Sequence, residues 1–463
     1  MGETSHLSPG GWVQQVLQKD RAAWTAEDLT RLVHQEKIRV VSLKHVGGDG
    51  WLKTLDFVPR SMQHLRDILE GGERADGSSL FSGSGVRAEA SDIVLRPRLA
   101  SAFRDPFSET PSLAILCDHF DRDGSPLPIS PTTIVERAWE RLVREAGVEL
   151  WAHAELEYFL GKHAEEVDAY GSNDRGYHAS RPFVFGEDLR RSAMVTLADM
   201  GVAIKYAHSE VGYIEPDEDD DHIWEQHEIE LALAPLPIAA DAVVLTQWVL
   251  RNLSRTHGMR CSFDPVLRPG HAGSGMHFHF SPMKAGGHRG GESEVPKMSQ
   301  ESKALIGGLV EGGGALMAFA NRDPGSFVRL IQGKEAPTAI TWGRFNRSAL
   351  VRLPILAQTA EGRTVAPPTI EFRLPDGSAH PHLLLAGVAQ SMLAAREMPD
   401  LDALLEATKA TAAAGAQRLT KPVPNGPEQI ARELVRVKAR LTAADVFPTE
   451  TIDDLIRHLE RST

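Results

Sequence analysis

The chain has 463 residues, enough for two domains, and its 42% hydrophobic and 24% charged content is ordinary for a globular protein. A formal net charge of −13 argues against a general nucleic-acid binder, which needs a basic face, while leaving room for a local basic pocket. Two cysteines, Cys117 and Cys261, are too few for a disulfide framework or a thiolate zinc site, no signal segment is visible in MGETSHLSPGG, and no apolar run nears the ~18 residues of a bilayer span; the expectation is a cytoplasmic protein with no membrane partner.

Residues 1–35 read as a polar lead-in holding one helix, TAEDLTRLVHQ, opened by Thr25 with Asp28 at capping-box spacing. From Ile38 to Val58 the pattern is β: IRVVSLKHV, a Gly-Gly-Asp-Gly turn, then WLKTLDFV. SDIVLRP and SLAILCDHF continue a small sheet domain, 36–120, and DRDGSPLPISP has linker composition. The remainder, 128–463, opens with a helix, ISPTTIVERAWERLVREA, stopped by Gly147, and then alternates strands with helices such as DLRRSAMVTLADMG, DAVVLTQWVLRNLSRTHG and SKALIGGLVEGGGALMAFAN. KAGGHRGGESE (284–294) reads as a mobile loop, and the tail from Leu401 as helical and Ala-rich.

Four strand-like stretches in 128–463 each carry reactive side chains at i and i+2: Glu155/Glu157, Glu228/Glu230, His277/His279 and Glu371/Arg373. Such residues share one face of a strand, so four strands in one sheet predict a single surface of carboxylates, imidazoles and a guanidinium. Carboxylate-rich sets with an imidazole suit Mg²⁺ or Mn²⁺ better than structural zinc. Any one Glu-Leu-Glu triplet alone is a solvated edge strand, and a lone buried histidine is commonly structural; the four together point to a metal-dependent enzyme. Arg322, Arg329, Arg344, Arg347, Arg352 and Arg373 follow, mixed with strand residues rather than on a solvated helical face, and suit bidentate carboxylate or phosphate contacts. HExxH, Walker and GxGxxG motifs are absent, so bound ATP would rely on metals and arginines.

At these residues the chain resembles the glutamine synthetase family. AELEYFL, HSEV, QHEIEL, GSGMHFHFSP, KEAP, NRSALVRLP and IEFRLPDGSAHP occur in the family's order over nearly the whole length. The resemblance implies an α+β fold: an N-terminal β-grasp domain and a C-terminal catalytic domain with a curved antiparallel sheet flanked by helices. It implies two or more Mg²⁺ or Mn²⁺ ions per site, ATP and glutamate as substrates, and a homododecamer whose sites are completed by a neighbour's N-terminal domain. By position, Glu157, Glu210 and Glu228 match one metal site; Glu155, His277 and Glu371 match the second. His279 and Ser281 match nucleotide- and phosphate-side contacts, joined by Arg352. Arg329 matches the grip on the glutamate carboxylate, with Gly273 as a backbone contact and His277 beside the substrate. Glu335 matches the flap residue that takes the amine's proton; Arg347, Arg352 and Arg373 match phosphate and transition-state contacts; Tyr177 and Glu210 border the amine pocket.

Three positions depart from the family pattern. The turn aspartate that holds ammonium across the subunit interface is Gly47, with Asp49 two residues on; the asparagine before GSGMH is Ala272; an arginine two residues before Glu371 is Thr369. The link from Glu210 to Glu228 is longer than usual and contains PDEDDD (216–221), read either as a solvated loop or as an altered entrance for an amine. The expectation is an ATP-dependent γ-glutamyl–amine ligase using an amine other than ammonia. Glutamine synthetase itself, a non-catalytic scaffold or sensor, and a guanidino-phosphotransferase stand as alternatives. No tyrosine follows Tyr213, which rules out tyrosine adenylylation in a C-terminal loop.

Overall fold

A computed structural model describes residues 11–81, 91–167, 174–285, 298–332, 336–410 and 421–462. The Thr25 hydroxyl accepts from the Asp28 N–H and the Asp28 carboxylate accepts from the Thr25 N–H, closing the expected capping box of the helix Ala26–Gln35. Its apolar face, Leu29, Leu32 and Val33, packs with Leu65, Ile68 and Leu69 of the helix Met62–Gly71 on the inner residues of a six-stranded sheet. The strands are β1 (Val40–Val46), β2 (Leu52–Phe57), β3 (Glu73–Asp76), β4 (Asp92–Pro97), β5 (Phe103–Arg104) and β6 (Ser112–Phe120). Their order is β2-β1-β6-β4-β3, with β5 on β6. β1 runs antiparallel to β2 and parallel to β6, so the chain must cross over between them.

The helix Pro131–Ala146 ends at Gly147, whose φ of +64° lies in the left-handed region that glycine adopts freely. A nine-stranded sheet follows: β7 (Val148–His163), β8 (Ile204–Ile214), β9 (His222–Leu231), β10 (Ala234–Pro235), β11 (Arg260–Ser262), β12 (Met276–Lys284), β13 (Trp342–Arg344), β14 (Val351–Leu353) and β15 (Ile370–Phe372). Its order is β13-β14-β15-β12-β7-β9-β8, with β10 and β11 pairing β7. β7 shows the period of two: Leu150, Ala152, Ala154, Leu156, Tyr158 and Leu160 are fully buried in the main core, while Glu155 and Glu157 turn to the other face.

Behind the sheet lie the helices Leu236–Thr256, Gln300–Ala320 and Pro381–Arg396. Gln300–Ala320 corrects one expectation: it is long and apolar enough to cross a membrane, but 89% of its apolar window is buried. Close approach explains its glycines; a Cβ at Gly308 would stand 2.6 Å from the backbone of Ser391. Arg98, immediately after β4, donates to Asp241 at 2.6 Å, and Asp241 also meets His382 at 3.0 Å, tying the N-terminal sheet to the helices Leu236–Thr256 and Pro381–Arg396. The loop expected over 284–294 falls almost wholly outside the described residues, as does the Ala-rich part of the tail, 411–416.

Candidate active site

Strand register decides what meets what. β7 faces β9 with Glu155 opposite Glu230 and Glu157 opposite Glu228, and faces β12 with His277 opposite Glu155. β12 in turn sets His279 opposite Glu371 of β15. Opposed side chains start about 5 Å apart, so the four i/i+2 pairs converge as expected on one face. They open into a cavity of about 1590 Å³, lined on its charged side by Glu155, Glu157, Glu210, Glu228, His277 and Arg329.

Glu155 accepts from both imidazoles, at 3.1 Å from His277 Nδ1 and 2.9 Å from His279 Nε2. Glu371, fully buried, receives Arg352 at 2.8 Å and Arg373 at 2.5 Å, with His277 Nδ1 at 3.7 Å. Glu157 accepts from the Gly275 N–H at 2.7 Å and from Gln226 at 3.2 Å. Burial, then the nearby carboxylates of Glu155, Glu157, Glu210 and Glu230, push Glu228 well above the usual carboxylate range. Burial alone would lower His279, but Glu155 overrides it and raises the imidazole to about 9. So much negative charge in one place, with His277, Glu371 and Arg352 arranged around it, is a donor set that fits hard divalent cations.

Arg329 sits on a helix, Gly325–Gln332, correcting the strand-like expectation for that run, but it is buried and donates to the carbonyls of Leu374 and Arg373 at 3.0 and 3.4 Å. Gly273, Tyr177, Ser281, Arg347, Arg352 and Arg373 also line the cavity. Arg352 Nε is buried with no hydrogen-bond partner among the described residues. Arg322 is directed elsewhere: it donates to the Asp49 carbonyl at 2.9 Å, bracing the β1–β2 turn. Arg344 is exposed, and Glu335 lies outside the described residues.

Several neighbours were not singled out from sequence. His208 lies 3.2 Å from Glu228 and clusters with Glu210; its signal was the same i/i+2 spacing, His208-Ser-Glu210. Glu230 is held by His153 at 2.7 Å and Lys205 at 2.5 Å, and His153 stacks on His279 with centroids 4.7 Å apart. His153 offered no signal beyond being two residues from Glu155.

At the departures, Ala272 is buried in the cavity wall and the Thr369 hydroxyl meets His279 Nδ1 at 3.0 Å. Gly47 forms the β1–β2 turn by donating to the Trp51 carbonyl at 3.2 Å. Asp49 does not stand free in its place: Lys53 binds its carboxylate at 2.7 Å, and the Trp51 N–H donates to it at 3.1 Å. The acidic insert 216–221 is not part of the cavity lining; it caps the far end of β9, six residues and so roughly 20 Å from Glu228.

The family model for the glutamine synthetase catalytic domain matches residues 128–457. Glutamine synthetase of Thermus thermophilus is 32% identical over 375 residues, covering 79% of each chain, and that of Thermotoga maritima is 29% identical over the same length. Among solved structures, Plasmodium falciparum glutamine synthetase superposes with a TM-score of 0.75 at 19% identity, covering 95% of this chain and 96% of that one. The ADP complex of GmaS does so at 0.72 and 17%, covering 94% and 95%. These two likenesses establish the fold, including the curved sheet and the N-terminal strands.

Proposed function

Because the chain belongs to the glutamine synthetase family, and is with it a ligase that forms carbon–nitrogen bonds, we propose that it joins an amine other than ammonia to the γ-carboxylate of glutamate through a γ-glutamyl phosphate formed from ATP. The observation that carries the choice of amine is the β1–β2 turn, where Gly47 offers no carboxylate and Asp49 is neutralised by Lys53. Ammonium is captured as a cation and needs a counter-charge; a carbon-bearing amine is held by contact area and needs room instead. Ala272 in the cavity wall adds such room.

In this reading Glu157, Glu210 and Glu228 hold one Mg²⁺ or Mn²⁺, with His208 adjoining, and Glu155, His277 and Glu371 hold another. When bound, these cations neutralise the oxygens of the transferring phosphoryl group. Arg329, anchored from behind by two backbone carbonyls, presents its remaining N–H groups to the glutamate carboxylate beside Gly273. Arg352, with its Nε buried and unmatched, joins Arg347 and Arg373 in gripping phosphate oxygens. His279 and Ser281 border the phosphates, and the apolar end of the cavity around Ile355, Leu356, Val365 and Pro367 receives the nucleotide base.

The γ-carboxylate oxygen attacks the terminal phosphorus and ADP departs with the bond's electron pair. The neutral amine then attacks the acyl carbon, phosphate leaves, and the amine's proton passes to a carboxylate, for which Glu335 is assigned by its place in KEAP. Tyr177 and Glu210 border the amine. Sites of this kind are shared between subunits of a dodecamer in this reading.

Phosphate release with ATP, Mg²⁺ and glutamate, measured over a panel of amines, tests the proposal. An alkylamine, polyamine or aminoalcohol should exceed ammonium in kcat/KM by roughly tenfold or more, about 1.4 kcal/mol. Saturation by low-millimolar ammonium, with no organic amine better, identifies the chain as a glutamine synthetase instead.

A further inference from the structure

The acidic insert that the proposed chemistry does not use ends beside a second group of metal-type donors. His163, the last residue of β7, stands opposite His222, the first of β9, in the ladder's final pair. Their rings lie 4.1 Å apart, centroid to centroid. Asp221 reaches both: one oxygen is 3.2 Å from His163 Nδ1 and the other 2.8 Å from His222 Nδ1. Asp220 competes for the same atom, with an oxygen 2.9 Å from His222 Nδ1. One ring N–H shared between two carboxylates pairs each only in part, so two negative charges converge on one buried imidazole. Asp220 is further fixed by the Trp224 indole at 2.6 Å and by Arg268 at 3.6 Å, while the Asp221 carbonyl accepts from the Ala164 N–H at 3.0 Å. The group is therefore held by a ladder end, an indole and a guanidinium, not by a loose loop.

We infer that His163, His222 and Asp221 form a second metal site, distinct from the carboxylate cage, that takes a divalent transition-metal ion of the zinc type. A ring nitrogen of each histidine and an oxygen of Asp221 lie within 4.8 Å of one another. Ligand atoms around a tetrahedral zinc sit roughly 3.4 Å apart, given bonds of ~2.1 Å, so a small side-chain rotation at the exposed His163 and Asp221 suffices. Two imidazoles and one carboxylate favour zinc-type ions over Mg²⁺ or Mn²⁺, which the carboxylate cage prefers. Asp220, already on His222 Nδ1, brings a second carboxylate to the same ring.

The test is Zn²⁺ binding to the full-length, chelator-stripped protein in a large excess of Mg²⁺, read by titration against a chromogenic chelator. Wild-type protein should take up about one more equivalent of Zn²⁺ per chain than His163→Ala or Asp221→Asn, or bind it at least roughly tenfold more tightly. Co²⁺ added in place of Zn²⁺ should give intense visible bands in wild type that these variants lack. Both replaced side chains are exposed, at 53% and 74%, and far from the cage, so Mg²⁺-dependent turnover and the far-ultraviolet spectrum should not change. Equal Zn²⁺ stoichiometry and affinity in wild type and variants overturns the site. The readout is metal uptake, so the outcome is independent of which amine the enzyme accepts.

Discussion

Glu228 is the residue at which the carboxylate cage is most crowded. Burial and four neighbouring carboxylates hold its proton on well above the usual range, so without a cation the cluster keeps itself folded by staying partly protonated. Glu228→Gln should therefore raise the melting temperature of chelator-treated protein by roughly 2 °C or more, while lowering Mg²⁺-dependent turnover by about 100-fold or more. Differential scanning fluorimetry with and without Mg²⁺, beside a phosphate-release assay, reads both. A melting temperature that falls in the stripped protein would show that the His208 contact outweighs the repulsion. Gly47 is the complementary case of a missing charge. Its φ is not in the left-handed region, and a Cβ there would meet chiefly Lys53 Cε, the mobile end of a side chain. In a Lys53→Met background, where no lysine ammonium neutralises the new carboxylate, Gly47→Asp should thus fold and, relative to Lys53→Met alone, raise kcat/KM for ammonium by roughly three- to tenfold, the scale of one exposed ion contact, without a similar gain for the preferred amine. An unchanged ammonium constant would remove the turn from the specificity argument.

At the scale of elements, the cage was legible because its residues obey the simplest rule of strands. Glu155/Glu157, Glu228/Glu230, His277/His279 and Glu371/Arg373 share faces by the period of two, and β15, β12, β7 and β9 are adjacent in the sheet. Sequence could not tell which strands would be neighbours, nor that Asp49 would be taken by Lys53, since both are matters of tertiary register. Arg329 was misplaced on a strand because FVRLIQ is rich in β-favouring residues; packing of its apolar face in the core, with Leu330 buried, selects a helix. Another pairing invisible to local pattern is His45 of β1 with His119 of β6, whose ring nitrogens are 3.1 Å apart. Burial, then Lys53, lowers His45 to about 4, and burial, then His45, lowers His119 to about 3. Both are neutral when folded and take up protons when unfolded below about 6.5. Their contribution is complete above that pH and lost as pH falls towards 4, amounting to about 2 kcal/mol per histidine at pH 5. Melting temperature should decline between pH 7 and 5, and His119→Phe should roughly halve that slope, even though it leaves the Ser130 hydroxyl without its 2.8 Å partner. An identical slope in the variant would assign the acid sensitivity to other groups.

For the whole molecule, the question is where the β1–β2 turn acts. It projects from the N-terminal sheet with Trp51 65% exposed, and is braced from its own chain by Arg322 on the Asp49 carbonyl and by Arg251 stacked 5.3 Å from the Trp51 ring. It is absent from the lining of its own chain's large cavity, which is bounded instead by the nine-stranded sheet and the segment 354–369. A braced turn with an exposed aromatic, held off its own site, is suited to complete the site of a neighbouring copy in a closed ring. In that arrangement a catalytic centre needs the cage of one subunit and the turn of the next. Trp51→Asp should then abolish turnover with the cage intact, as Glu228→Gln does with the turn intact. Unfolding and reassembling the two inactive variants together in equal amounts should restore activity to about a quarter of wild type, because half the cages are sound and half of those meet a sound turn. Mixing without dissociation should restore none. If the co-assembled rings stay inactive, or if Trp51→Asp alone retains full activity, each chain works with its own residues and the turn has no part in choosing the amine.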